Sequence, residues 1–395
     1  MLHRIYYSPG IFGFGKLAHY DYFAHVERAL ESRFLTAGHQ VTSHVVGVLP
    51  TASVRRRGAM LAEFVSGSCG DDDGPIHLLG HSTGGLDARM VASPSAVLPI
   101  GEGMLGWLPR LRSVTMMNTP HFGTPLAKFF ATVNGQRILF ALSALTFIGL
   151  SIGAPPLAAA SALVGLVGRT ERASRLERHA LDRAVDSLLR VLDDAGSLEV
   201  RAFLEAIKQD QGAVLQLTPE AMDLFQAGVE DRDGVLYQST ASMAPLPSPR
   251  KWLGLMAHPW RALSLSIFTT LHGFTAQQDR RYPCAAVRPP GKAGEVEAWA
   301  GEQLEAALAA SLPSPIDVRA NDGVVPLRSQ LWGTLAWAGL GDHLDVLGHF
   351  RDDRPAEGLA PRHRDWLTSG SSFDLAQFGA LMDAIASGML KSVAP

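Results

Sequence analysis

Gly80-His81-Ser82-Thr83-Gly84 is the stretch on which the reading of this chain turns. It has the form G-x-S-x-G. The apolar run Ile76-His77-Leu78-Leu79 leads into it, and Gly85-Leu86-Asp87-Ala88-Arg89-Met90, which reads as the start of a helix, follows. A strand, a sharp turn and a helix in that order hold a serine hydroxyl above the edge of a sheet, open to a substrate. Such a turn is strained, and glycines beside it matter because Cβ atoms there would collide with the strand or the helix. G-x-S-x-G alone also arises by chance. The strand before it and two further segments give it weight.

The first segment lies near the start of the chain. Arg4-Ile5-Tyr6-Tyr7-Ser8 reads as a strand, aromatic-rich and alternating, and Pro9-Gly10-Ile11-Phe12-Gly13-Phe14-Gly15 follows it. A glycine-rich loop directly after a strand can aim backbone N–H groups at an oxygen that gains negative charge. The N–H of Ile11 and the N–H of Thr83, next to the serine, are the expected donors. Without Ser82 the loop would read as an ordinary turn.

The second segment lies near the C-terminus. Asn321-Asp322-Gly323-Val324-Val325-Pro326 is followed by Gly341-Asp342-His343-Leu344-Asp345. Ser82, Asp322 and His343 then stand in the order nucleophile, acid, base. In that arrangement histidine takes the serine proton and returns it to the leaving group, while the carboxylate orients the imidazole. His343 is preferred to His349, His363, His258 and His272 because it follows a Gly-Asp turn and leads into a mostly apolar run. Asp322 is preferred to Asp317 and Asp342 because an Asn-Asp-Gly turn presents a carboxylate on a short loop.

With these segments in view, the chain resembles the bacterial true lipases and carboxylesterases of the α/β-hydrolase superfamily. The resemblance rests on Pro9 to Phe14, Gly80 to Arg89, Met117-Asn118-Thr119-Pro120-His121-Phe122-Gly123-Thr124-Pro125, Asn321 to Val325 and Asp342 to Asp345, with a fainter match from Leu217 to Ser239. It covers about half of the chain. It implies an α/β fold: a mostly parallel central sheet flanked by helices, with a large, mainly helical cap, or lid, inserted. It implies hydrolysis of carboxylic esters through an acyl-enzyme on Ser82, with Asp322 and His343 completing the triad and Ile11 and Thr83 forming the oxyanion hole. Many such lipases also carry a structural calcium ion, and Asp345 matches one of its carboxylate ligands. The position four residues on, where an amide is expected, is His349, a poor ligand for an ion that favours oxygen. No metal or cofactor is therefore expected, and Asp345 is the weak calcium candidate. Pro9 also stands where the family often has a histidine.

Composition narrows the field. The 395 residues are 47% hydrophobic and 18% charged, enough for a sizeable core in one large domain or two. A net charge of −3, with no basic stripe, gives no sign of a nucleic-acid partner. Arg55-Arg56-Arg57 reads as a solvated helix face, and Asp71-Asp72-Asp73 as a surface loop. Cys69 and Cys284 are too few for a disulfide framework and are expected as free thiols. The chain begins almost at once with a strand, so it is expected in the cytoplasm, or outside the cell if a leader has been removed.

Strands are expected at 4–8, 41–48, 76–80 and 113–117, with helices at 20–37 and 54–66 between them, the pattern of a parallel sheet covered on both faces. From Ile138 to Gly168 there is no charge, and Pro155-Pro156 divides the run. Residues 138–154 are long enough to be considered a membrane span. Their Ala, Gly and Ser content and their place between core strands favour the apolar underside of a lid, with contact to lipid surfaces left open. An amphipathic helix is expected over 171–195, broken at Gly196-Ser197 and followed by a stripe of Val200, Phe203, Leu204 and Ile207. Residues 242–260 read as irregular. The core is thus expected from 1–135 and 311–395 and the cap from 136–310, with 214–241 partly core because Val235-Leu236-Tyr237-Gln238-Ser239 reads as a strand. So apolar a cap favours a hydrophobic acyl ester as substrate. An acyltransferase, a short-chain esterase or polyesterase, or a non-catalytic lipid-binding protein remain the alternatives.

Overall fold

Short apolar segments separated by amphipathic helices dictate a parallel sheet, since each strand rejoins its neighbour only through a crossover. The computed structural model describes residues 1–11, 16–17, 20–132, 135–136, 138–139, 142–143, 194–246, 248, 253–254, 259–277, 297–313, 315–350 and 369–393. Six strands form the central sheet: β1 (Leu2–Ser8), β2 (Gln40–Val45), β3 (Ile76–His81), β4 (Leu111–Met117), β5 (Leu236–Met243) and β6 (Thr334–Leu340). Their order is β2-β1-β3-β4-β5-β6, and every pair is parallel. All six residues of β3 are buried, its two histidines included, so apolar and polar residues do not alternate along it.

Alternation along the strands divides the core. Ile5, Tyr7, Leu79 and Met117 join one cluster with Leu30, Phe34 and Leu381, which come from α1 (Ala24–Thr36) and the C-terminal helix Leu375–Lys391. Tyr6, Leu78 and Met116 join the other with Leu61, Val65, Ala88 and Val91 of α2 (Val54–Ser68) and α3 (Thr83–Ala92). Helices thus cover both faces of a parallel sheet, an α/β fold as expected. Further along run α4 (Pro125–Phe130), α5 (Asp194–Gln209), α6 (Gly212–Gln216), α7 (Pro219–Gly228), α8 (Pro259–Thr275), α9 (Glu297–Ser311) and α10 (Leu375–Lys391). Side-chain caps start several of them. Ser53 accepts from Arg56 N–H ahead of α2, and Asp374 and Gln377 form a reciprocal capping box on α10.

Several expectations meet a different structure. Arg55 and Arg56 are exposed, but Arg57 is fully buried, because Asp87 of the neighbouring α3 pairs with it. Gly196 and Ser197 do not interrupt a helix. They lie within α5, and Val200, Leu204 and Ile207 of the expected stripe are buried. The strand expected at 235–239 does form, as β5 between β4 and the edge strand β6, and α9 packs on β6. The stretch 242–260 contains the end of β5 and the start of α8.

Of the uncharged run, Ile138, Leu139 and Leu142 are buried in the larger cluster, and 144–168 lie outside the described residues. So do residues 171–193 of the expected helix and Cys284, while Cys69 is a buried free thiol. Among the described residues no helix is long and apolar enough to cross a membrane. The acidic run is a surface loop, as expected, and Asp72 within it pairs with Arg4 and Arg110.

The two ends of a parallel sheet are chemically distinct. At the N-terminal ends of the strands, buried His3 of β1 bonds His77 of β3 at 3.0 Å and His39 at 3.1 Å, and His77 bonds Ser113 of β4 at 2.7 Å. Burial, then the proximity of His39, lowers His3 to about 4. Burial, then His3, lowers His77 to about 3. The opposite ends carry the candidate site.

Candidate active site

Ser82 sits between β3 and α3 with φ 55°, one of three non-glycine residues at positive φ among the described residues. Its N–H donates to Met117 O of β4 at 2.8 Å, and its carbonyl accepts from Gly85 N–H at 3.1 Å. The turn closes only around glycine. A Cβ on Gly84 would overlap the Ser8 carbonyl, and one on Gly10 would come within 2.7 Å of Ser82 Cβ. Ile11 follows Gly10 directly and is buried. Thr83 opens α3, so its N–H is among the first four, which have no acceptor within the helix. The two expected oxyanion donors therefore belong to segments in contact at Gly10 and Ser82.

The loops after β5 and β6 bring Asp322 and His343 together. His343 Nδ1 lies 2.7 Å from Asp322 Oδ2, and His343 N–H donates to the Asp322 carbonyl at 2.9 Å. Asp322 Oδ1 accepts from Val324 N–H at 2.9 Å and Val325 N–H at 2.7 Å, and Oδ2 also accepts from Asn118 Nδ2 at 3.1 Å. Every partner of the carboxyl is a donor, so the proton of His343 resides on Nδ1. His343 Nε2 is left as an acceptor, buried and with no hydrogen bond. The His343 ring lies 4.8 Å from that of His81, the residue before Ser82.

The rival residues are occupied elsewhere. Asp317 accepts from Arg319 N–H on an exposed loop, and Asp342 caps the turn that presents His343 by accepting from Leu344 and Asp345 N–H. The His272 ring packs on Phe268, and His349 faces Tyr22 and His25. His258 and His363 lie outside the described residues. Asp345 Oδ2 accepts from Asp342 N–H at 2.7 Å and Ser371 O–H at 2.6 Å. Among the described residues no three His, Cys, Asp or Glu side chains are arranged to hold a metal.

Other residues that support the site have roles the sequence alone does not convey. Asn118, at φ 48°, joins Asp322 to Ser242 of β5. Its only local signal is its place at the end of a buried strand, and asparagine tolerates positive φ. Arg57 donates to Asp87 and to the carbonyls of Leu49, Pro50 and Pro9. Asp87 also accepts from Ser8 at 2.8 Å, so one buried ion pair anchors the chain on both sides of the Ser8–Pro9 link. Burial raises the Asp87 carboxyl, and Arg57 opposes that rise. On the same helix Arg89 lies 3.3 Å over the Trp332 ring, with Asp231 3.8 Å away, and burial lowers Arg89 to about 10.

In overall trace the chain is similar to the lipase of Staphylococcus hyicus, at 14% identity over 100% of this chain and 97% of that one, TM-score 0.48. It is also similar to lipase 1 of Pelosinus fermentans, at 14% over 93% and 97%, TM-score 0.46. A third likeness is to EstA of Clostridium botulinum, at 17% over 94% and 86%, TM-score 0.44. No family model and no curated protein matches the chain.

Proposed function

We propose that the protein is a serine-dependent carboxylic-ester hydrolase of lipase type. The reading is carried by one observation. His343, aligned by Asp322 through Nδ1, keeps an unclaimed Nε2, and its ring lies 4.8 Å from that of His81, the residue before a serine at positive φ on a strand-to-helix turn. Ser82 Oγ attacks the ester carbonyl as its proton passes to Nε2. The N–H groups of Thr83 and Ile11 take the charge that develops on oxygen. Collapse breaks the bond to the alcohol, which leaves with the proton from Nε2. Water then attacks the acyl-enzyme by the same route and releases the acid.

A hydrophobic acyl chain suits the surroundings, since Ile11, Val324 and Leu344, at or near the site residues in sequence, and Phe268, against Gly323, belong to one buried cluster. Each CH₂ removed from water contributes about 0.8 kcal/mol. The test is hydrolysis of p-nitrophenyl esters from C2 to C16 by wild type and Ser82→Ala. Serine-dependent turnover that rises toward long chains is the expected result. Turnover confined to short chains removes the lipase reading and leaves the esterase. Turnover that survives Ser82→Ala removes the mechanism.

A further inference from the structure

His343 has four polar atoms, and bonds claim three of them. Asp322 takes two, through the backbone N–H at 2.9 Å and Nδ1 at 2.7 Å. The third, the carbonyl oxygen, lies 2.8 Å from His81 Nε2. A backbone carbonyl only accepts, so His81 Nε2 must carry the hydrogen, and His81 Nδ1 must be the acceptor. Nδ1 lies 2.8 Å from the Tyr22 hydroxyl, which supplies the required donor. The tautomer of His81 is therefore set from both sides. Tyr22, His81 and His343 are all buried.

We propose that Tyr22 and His81 form a positioning pair for His343. Resting on the ester-hydrolase reading, the proposal has the pair anchor the His343 carbonyl so that Nε2 stays aimed at Ser82 through both proton transfers. Neither residue touches a reacting atom. Among the described residues, the titratable groups that act on His81 are Tyr22, His343 and His349. Burial, followed by the charge of His343, holds His81 well below the usual histidine range. The anchor thus stays neutral, with its single Nε2 hydrogen in place, while His343 gains and loses a proton beside it.

The test compares wild type, Ser82→Ala, His81→Leu, His81→Gln and Tyr22→Phe on p-nitrophenyl butyrate, with active sites counted by fluorophosphonate labelling. His81→Leu removes the donor, and kcat per labelled site is expected to fall by about 10- to 100-fold with KM little changed, the cost of a misaimed base. His81→Gln keeps an amide N–H near the position of Nε2 and is expected to recover most of that loss. Tyr22→Phe frees the tautomer and should lower kcat about fivefold, the worth of one hydrogen bond. A merely structural histidine would give equal losses in the Leu and Gln variants, and that result overturns the proposal. Wild-type kcat in Tyr22→Phe also overturns it, and this variant serves even if His81→Leu does not fold. If Ser82→Ala is inactive while the other variants turn over normally, only the positioning pair falls. If Ser82→Ala stays active, the hydrolase reading falls with it.

Discussion

Ser82 and Arg57 show how differently single residues announce themselves. Ser82 is legible in the sequence because its turn needs glycines on both sides, and the glycines are local. Its φ of 55° carries strain of about 1–3 kcal/mol. Ser82→Gly should therefore be more stable than Ser82→Ala in urea unfolding, the reverse of the usual order of alanine over glycine, although neither should turn over ester. A less stable glycine variant would mean that the turn is unstrained. Asp322 and His343 are legible as candidates because a carboxylate on an Asn-Asp-Gly turn and a histidine after Gly-Asp are local patterns too. Arg57 misleads because its neighbours in sequence are exposed, while its partner lies 30 residues on, in another helix. Asn118, Tyr22 and His81 are silent for the same reason, since contacts remote in sequence define them. Arg57→Met leaves Asp87 as a buried unpaired charge and is expected to cost about 3–5 kcal/mol in chemical denaturation. The double change Arg57→Met, Asp87→Leu should recover much of that loss.

Among the elements, strands rich in aromatic and aliphatic residues are readable close to their bounds. Strands expected at 4–8, 76–80 and 113–117 form at Leu2–Ser8, Ile76–His81 and Leu111–Met117. β6 escapes a reading from sequence. Its residues, Thr-Leu-Ala-Trp-Ala-Gly-Leu, include one β-branched side chain, and pairing with β5 decides its state. The elbow is the element most tightly bound to its surroundings, because α3 begins against the end of β1. Gly84→Ala forces a methyl group into the Ser8 carbonyl and should lower stability by about 1–3 kcal/mol. Gly38→Ala, with open space but φ 81°, should cost about 1 kcal/mol from backbone strain alone. Thermal melts that ranked the two the other way would contradict the close approach at the elbow.

Across the whole molecule, the sheet separates two histidine populations. The site lies at the C-terminal ends of the strands, and His39, His3, His77 and Ser113 line the N-terminal ends. His3 and His77 fall to about 4 and about 3 in the folded chain, from 6.5. Between those values and 6.5 the unfolded chain binds more protons, so stability declines as pH falls from 6.5 toward 4 and 3 and is level above 6.5. Melting temperature against pH should show this acid limb, and a His3→Asn, His77→Asn variant should flatten it. An acid limb of unchanged steepness in that variant would exclude the histidine chain as its source.

The spacing of Ser82 and His343 along the polypeptide also has a consequence for how the molecule is made. At about 5–20 residues per second a ribosome takes roughly 13–52 s to go from one to the other. Once Met117 has followed, β1, β3 and β4, which hold the elbow, can pair, while His343 has yet to be synthesised. On the proposed mechanism, a growing chain thus carries Ser82 without its base past the lipids and thioesters of the cell. Stalled nascent chains ending before residue 343 should resist fluorophosphonate, and released full-length chains should react.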